Sequence, residues 1–145
     1  MAIRAGVRLS ARILIVDDHL AVRTTIRSLL DGHPFRICGE ARDGKEAIEK
    51  VIELKPDIIL LDINMPVMNG IQTAYEMRRI APFTKIVFFT VHDSPQLVSA
   101  MRVFSNDFVS KSAAGTELIP TLNRLAGITG DKPPDRSTKS PRAAA

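Results

Sequence analysis

Five polar residues stand where four apolar runs stop. "RILIVDD" ends on Asp17 and Asp18, "DIILLD" on Asp62, "KIVFFT" on Thr90 and "DFVSK" on Lys111. Three carboxylates brought to one place repel one another and do not all stay ionised unaided. A divalent cation with a preference for oxygen relieves that repulsion. Magnesium suits such a set because it takes few protein carboxylates, keeps several waters and leaves room for a phosphate oxygen. No thiol or paired-histidine spacing points to zinc. Lys111 supplies a positive charge able to pair with a carboxylate at rest and with an anion when one arrives. Thr90 can donate a hydrogen bond to an added oxygen. A carboxylate in that company can attack phosphorus and become an aspartyl-phosphate, with metal and lysine steadying the transferring charge. Asp62 stands alone at the end of its run and is the best-placed nucleophile. Asp17 and Asp18 are adjacent, point differently and better serve the metal.

That chemistry requires the four runs to end on one rim. The apolar pattern supplies the means. Strands are expected at Arg12 to Asp18, Phe35 to Ala41, Asp57 to Asp62, Lys85 to Thr90 and Asp107 to Lys111, the second nearer an edge because it alternates more. Between them lie stretches with helical spacing. Val22, Ile26, Leu29 and Leu30 form one stripe, and Ala47, Ile48, Val51 and Ile52 another, behind an Asp43 N-cap with Glu46 three residues on. A helix runs from about Gly70 to Ile80. The next has Pro95 in its first turn and Leu97, Val98 and Met101 facing inward; in the last, "TELIPTLNRLAG", Pro120 is expected near the start. Five strand–helix units without hairpin signals imply an α/β fold: a flavodoxin-like, doubly wound, five-stranded parallel sheet, order 2-1-3-4-5, with about five helices. Ligands of such sheets sit beyond the carboxyl ends of the strands, where the five polar residues lie.

The 145 residues divide into a basic arm (1–11), one domain (12–127) and a Pro- and Ser-rich stretch (128–145) that reads as a disordered tail or a truncated linker. The net charge of +4 would suit nucleic acid, but Arg4, Arg8 and Arg12 put +3 at the start and the last stretch carries +2. The segment between is left with about −1, which argues against a nucleic-acid footprint on the folded body. No stretch approaches a membrane span, and Cys38 is alone, as suits a reducing cytoplasm.

The motifs "ILIVDDH", "DIILLDINMPVMNG", "KIVFFT" and the lysine of "DFVSK" resemble, in order and spacing, the receiver domains of two-component response regulators, over roughly Arg12 to Gly127. "VDDH" and "LLDINMPVMNG" look most like the subfamily whose receivers usually precede a helix-turn-helix DNA-binding domain. The resemblance implies phosphorylation of Asp62 by a histidine kinase, a phosphotransfer protein or a small phosphodonor. It implies Mg²⁺ held by Asp18 and Asp62 directly, by Asp17 through water and by the backbone carbonyl of Asn64. Thr90 and Phe108 match the family's switch pair. The text "FSND" before Phe108 departs from the small residues usual there, which bears on the output face.

The expectation is therefore a cytoplasmic phosphoacceptor switch in a phosphorelay, not an enzyme beyond slow autodephosphorylation. It would act on a downstream protein partner, with a homodimer left open. One alternative is the front portion of a DNA-binding transcriptional regulator. Another is a Mg²⁺-dependent phosphohydrolase. The latter lacks the usual second aspartate two residues after the nucleophile, where Asn64 stands.

Overall fold

In the computed structural model residues 10–91 and 94–127 are described. The basic arm except its last two residues, and the stretch 128–145, lie outside them. Five parallel strands, β1 (Ala11–Val16), β2 (Phe35–Ala41), β3 (Ile58–Leu61), β4 (Lys85–Thr90) and β5 (Asp107–Ser110), form one sheet in the order β2-β1-β3-β4-β5. The helices α1 (Leu20–Leu30), α2 (Gly44–Leu54), α3 (Gly70–Ile80), α4 (Pro95–Phe104) and α5 (Ala114–Ala126) connect and follow them. This is the doubly wound architecture expected from the apolar runs, with β2 at an edge.

Because successive strand residues point to opposite faces, the same runs make two cores. Leu14, Val16, Ile59, Leu61, Ile86 and Phe88 pack with Ala47 and Val51 of α2, Ala74 and Met77 of α3, and Met101 of α4. Ile13, Ile15, Ile58, Leu60, Val87 and Phe89 pack with Ile26 and Leu30 of α1 and with Leu118 and Leu122 of α5. All four residues of β3 are buried, which is why that strand shows no alternation.

Local chemistry sets the helix starts. Asp43 caps α2 by accepting from the Glu46 N–H at 2.8 Å, and Asn69 and Gln72 close a capping box on α3. Across the sheet, Asn106 Oδ1 accepts from the Ile86 N–H at 2.9 Å while Arg78 Nε donates to the Phe104 carbonyl at 3.1 Å. Tyr75 meets Phe104 edge-on, with ring centroids 6.0 Å apart. The unusual "FSND" text thus ties α3 to the end of α4 and the start of β5.

Three details differ from the sequence reading, and one residue gains a role. Ile52 is exposed, because α2 turns Gly44, Ala47 and Val51 inward. Arg12, counted with the basic N-terminal charges, does structural work from β1: its guanidinium donates to the carbonyls of Leu54 (2.6 Å) and Lys55 (2.9 Å), capping the end of α2. Lys111 lies just past β5, opening a 3-10 turn (Lys111–Ala113) that runs into α5. That turn starts α5 earlier than "TELIP", so Pro120 falls inside the helix instead of in its first turn. It is exposed there, where water can serve the carbonyl that proline leaves without a helical donor. Pro120→Ala is therefore expected to raise the unfolding free energy by about 1–3 kcal/mol, read from urea titration.

Candidate functional site

The first strand delivers Asp17 straight from its last apolar residue. The Asp17 N–H donates to the Ala41 carbonyl at 3.0 Å, and Asp17 Oδ1 accepts from the His19 N–H at 2.9 Å. Asp62 follows β3 in the same way, its N–H on the Val16 carbonyl at 3.0 Å and its Oδ1 accepting from the Ile63 N–H at 2.9 Å. Both acids are buried, as is Thr90 at the end of β4. Lys111 reaches over from beyond β5: its Nζ lies 2.6 Å from Asp17 Oδ2 and 3.6 Å from Asp62 Oδ1. Groups 94 residues apart in sequence thus meet at one rim.

Burial pushes the Asp62 carboxyl above the usual aspartate range, and the nearby Asp17 charge adds to it. Lys111, the Thr90 hydroxyl and the Ile63 N–H pull it back only in part. Asp18 is less buried, yet its Oδ1 is shielded from solvent and accepts no hydrogen bond. His19 Nδ1 lies 3.1 Å from that oxygen without hydrogen-bonding alignment, and 3.2 Å from Asp17 Oδ1. Ligand atoms of Asp17, Asp18, His19 and Asp62 all fall within 4.8 Å of one another. An unpartnered carboxylate oxygen among repelling acids is what a hard divalent cation would satisfy, so the donor set fits a metal.

The loop after Asp62 is held close by glycine. A Cβ on Gly70 would come within 2.2 Å of the Asp62 carbonyl oxygen, and the Gly70 N–H donates to the Ile63 carbonyl at 2.7 Å. Asn64 is exposed in this loop, and Met65 is buried beneath it. Val67 stands out: a β-branched residue, exposed, at φ 71°. Phe108 is half-buried beside Phe88, on the α2–α3–α4 face of the sheet. Thr90 is two residues beyond Phe88 on β4 and so shares that face.

The residues singled out from sequence, Asp17, Asp18, Asp62, Thr90 and Lys111, are all at or beyond the carboxyl ends of the strands. Phe108 lies lower on the sheet. His19 sits at the start of α1, largely exposed, with its Nδ1 beside the acids. One participant was missed. Arg23 gave no signal, yet its Nη1 donates to the Asp17 carbonyl at 2.8 Å.

A doubly wound sheet with an acidic, lysine-bridged rim defines a phosphoacceptor class of signalling domain. The model of the response regulator receiver domain matches residues 13–123, and the chain belongs to that family. It is 34% identical over 116 residues to the chemotaxis protein CheY of Thermotoga maritima, covering 79% of this chain and 97% of that protein. It is 35% identical over 118 residues to the nitrate/nitrite response regulator NarL of Escherichia coli K12, covering 80% of this chain but 55% of NarL. Among solved structures, a LuxR-family two-component response regulator from Aurantimonas superposes with a TM-score of 0.75 at 29% identity, covering 93% of this chain and 98% of that one. Among the described residues no helix is long and apolar enough to cross a membrane.

Two outcomes follow. Gly70→Ala should lower stability by about 1–3 kcal/mol in urea unfolding, because the added methyl meets backbone and not a movable side chain. Asp62 carries a raised pKa in the fold, so the folded state holds its proton more tightly than the unfolded chain does. Its ionisation therefore costs stability as pH rises through the unfolded and then the folded pKa. In metal-free buffer Asp62→Asn should be the more stable protein at pH 7, with the gap closing as pH falls below the usual aspartate range.

Proposed function

We propose that Asp62 is the phosphoacceptor and that its modification is the signal. The observation that carries this is Lys111 set between Asp17 and Asp62, beside a buried carboxylate whose surroundings oppose its charge. An Asp62 oxygen attacks phosphorus in line; the new O–P bond forms as the bond from phosphorus to the donor's nitrogen or oxygen breaks. The donor is a phosphohistidine of a sensor kinase or phosphotransfer protein, or a small acyl phosphate. Lys111 shifts its charge toward the incoming phosphoryl oxygens, and the Thr90 hydroxyl donates to one of them. Asp18 and Asp62 would hold Mg²⁺ directly, Asp17 through water, with the backbone carbonyl of Asn64 completing the protein's share. Bound there, Mg²⁺ neutralises charge on the transferring oxygens.

Thr90 and Phe108 share a sheet face, so movement of the hydroxyl toward an added phosphoryl group changes the space open to the ring. That couples the rim to α4 and β5, where a downstream protein binds. Turnover as a phosphohydrolase is disfavoured, since exposed Asn64 stands where a general acid would be needed. The reading places the chain in the cytoplasm with its kinase. A second reading, as the receiver portion of a DNA-binding regulator, is supported by the likeness to a DNA-binding response regulator of the LuxR family from Staphylococcus aureus, at 26% identity and a TM-score of 0.74.

Intact-mass analysis after incubation with acetyl phosphate and Mg²⁺ tests the assignment. Wild type should gain one phosphoryl group, removable by hydroxylamine, and Asp62→Asn or EDTA-treated protein should gain none. Equal labelling of Asp62→Asn would overturn it.

A further inference from the structure

No hydrogen bond aims the Asp18 Oδ1. That oxygen is shielded and unpartnered, so the direction in which the side chain leaves the backbone rests on the peptide that precedes it. That peptide is gripped directly, and the one before it is pinned as well. The Asp17 N–H, in the Val16–Asp17 peptide, is fixed to the Ala41 carbonyl at the end of β2. The Asp17 carbonyl, which belongs to the same peptide plane as the Asp18 N–H, accepts from Arg23 Nη1 at 2.8 Å.

Arg23 is itself anchored. Its side chain is only 11% exposed, and Nε donates to Glu40 Oε1 at 2.7 Å. Arg27 Nε takes the other oxygen of Glu40, and Lys50 Nζ donates to the Glu40 carbonyl at 2.8 Å. Burial would raise the Glu40 carboxyl, but the two arginines outweigh it and hold it below the usual glutamate range. An ionised Glu40 thus grips the guanidinium from the edge strand, while the guanidinium grips the acidic loop from α1. A solvated surface pair would not be aimed at a backbone carbonyl in this way, and lysine could not make both contacts at once.

We propose that the Arg23–Glu40 pair is a positioning device for the cation site: it fixes the Asp17–Asp18 peptide plane and so presents the Asp18 carboxylate to the metal. This rests on the reading that Asp18 is a metal ligand. Neither Arg23 nor Glu40 touches the phosphoacceptor. They act through the backbone, as outer-sphere partners orient ligands elsewhere.

Titration calorimetry of the metal-stripped full chain with Mg²⁺ alone tests the idea. Arg23→Met should bind about tenfold more weakly than wild type. Glu40→Gln, which keeps an acceptor but loses the charge, should fall between the two. In an Asp18→Asn background, itself weakened, neither substitution should weaken binding further, because the ligand they aim is gone. An Arg23→Met affinity within twofold of wild type, or a loss of equal size in both backgrounds, overturns the proposal. So does a lowered urea midpoint with unchanged Mg²⁺ affinity of the folded protein, which marks a purely structural pair. Should Arg23→Met not fold, Glu40→Gln and its Asp18→Asn double variant decide by the same criteria. A wild type that binds no Mg²⁺ at millimolar concentration removes the metal reading itself, and that failure shows before any variant is made.

Discussion

Everything at the rim depends on one lysine facing two buried carboxylates. Asp17 and Asp62 are each carried out of water by an apolar strand, at a desolvation cost that an ion pair only partly offsets. Lys111 Nζ sits closer to Asp17 than to Asp62, so at rest its charge is committed mainly to Asp17. The carboxylate left less well served is the one proposed to react. Its raised pKa and its proximity to a cation have the same origin, a dry site with too much negative charge. An arriving phosphoryl group adds still more charge, and the lysine is within reach to follow it. The fold supplies this arrangement with little side-chain machinery, since parallel strands in the order β2-β1-β3-β4-β5 bring the relevant carboxyl ends together.

The two cores divide the molecule into unequal halves. On the face that carries Thr90, Phe88 and Phe108, α2 and α3 each bury several residues, whereas α4 buries Met101 alone. A helix anchored by so little opens at lower free energy than its neighbours. It is also the helix next to the ring that the proposed switch would move. The opposite face, with α1 and α5, holds Arg23 and the start of the acidic loop. The arginine that grips the acidic loop therefore comes from one side of the sheet, and the most lightly anchored helix of the Thr90 face lies on the other.

Much of this was legible in the chain because strand burial and strand termination are local signals. Four residues of Ile and Leu before Asp62 announce both a central strand and its end, and "DGKE" announces the α2 cap. What stayed hidden needed the third dimension. Ile52 fits a helical stripe by spacing, but which stripe is buried depends on where α3 lies, and α2 turns its glycine and alanine toward that neighbour. Arg12 looked like one more basic residue near a terminus until the end of α2 was placed beside it. The same holds for Arg23, whose role is a bond to a main-chain carbonyl, and main-chain acceptors leave no mark in a sequence. Pro120 was misplaced because a 3-10 turn after Lys111 extended the helix backward.

Tyr75 is the sole tyrosine, and the chain has no tryptophan. Its ring rests against Phe104, so the one phenol spans the gap between α3 and the end of α4. Absorption in the tyrosine band and the emission it excites thus come from that junction and not from the acidic rim. The chain carries a built-in optical probe of the α3–α4 junction, with no label to attach, no tryptophan to subtract and only the weak, shorter-wavelength phenylalanine band beside it.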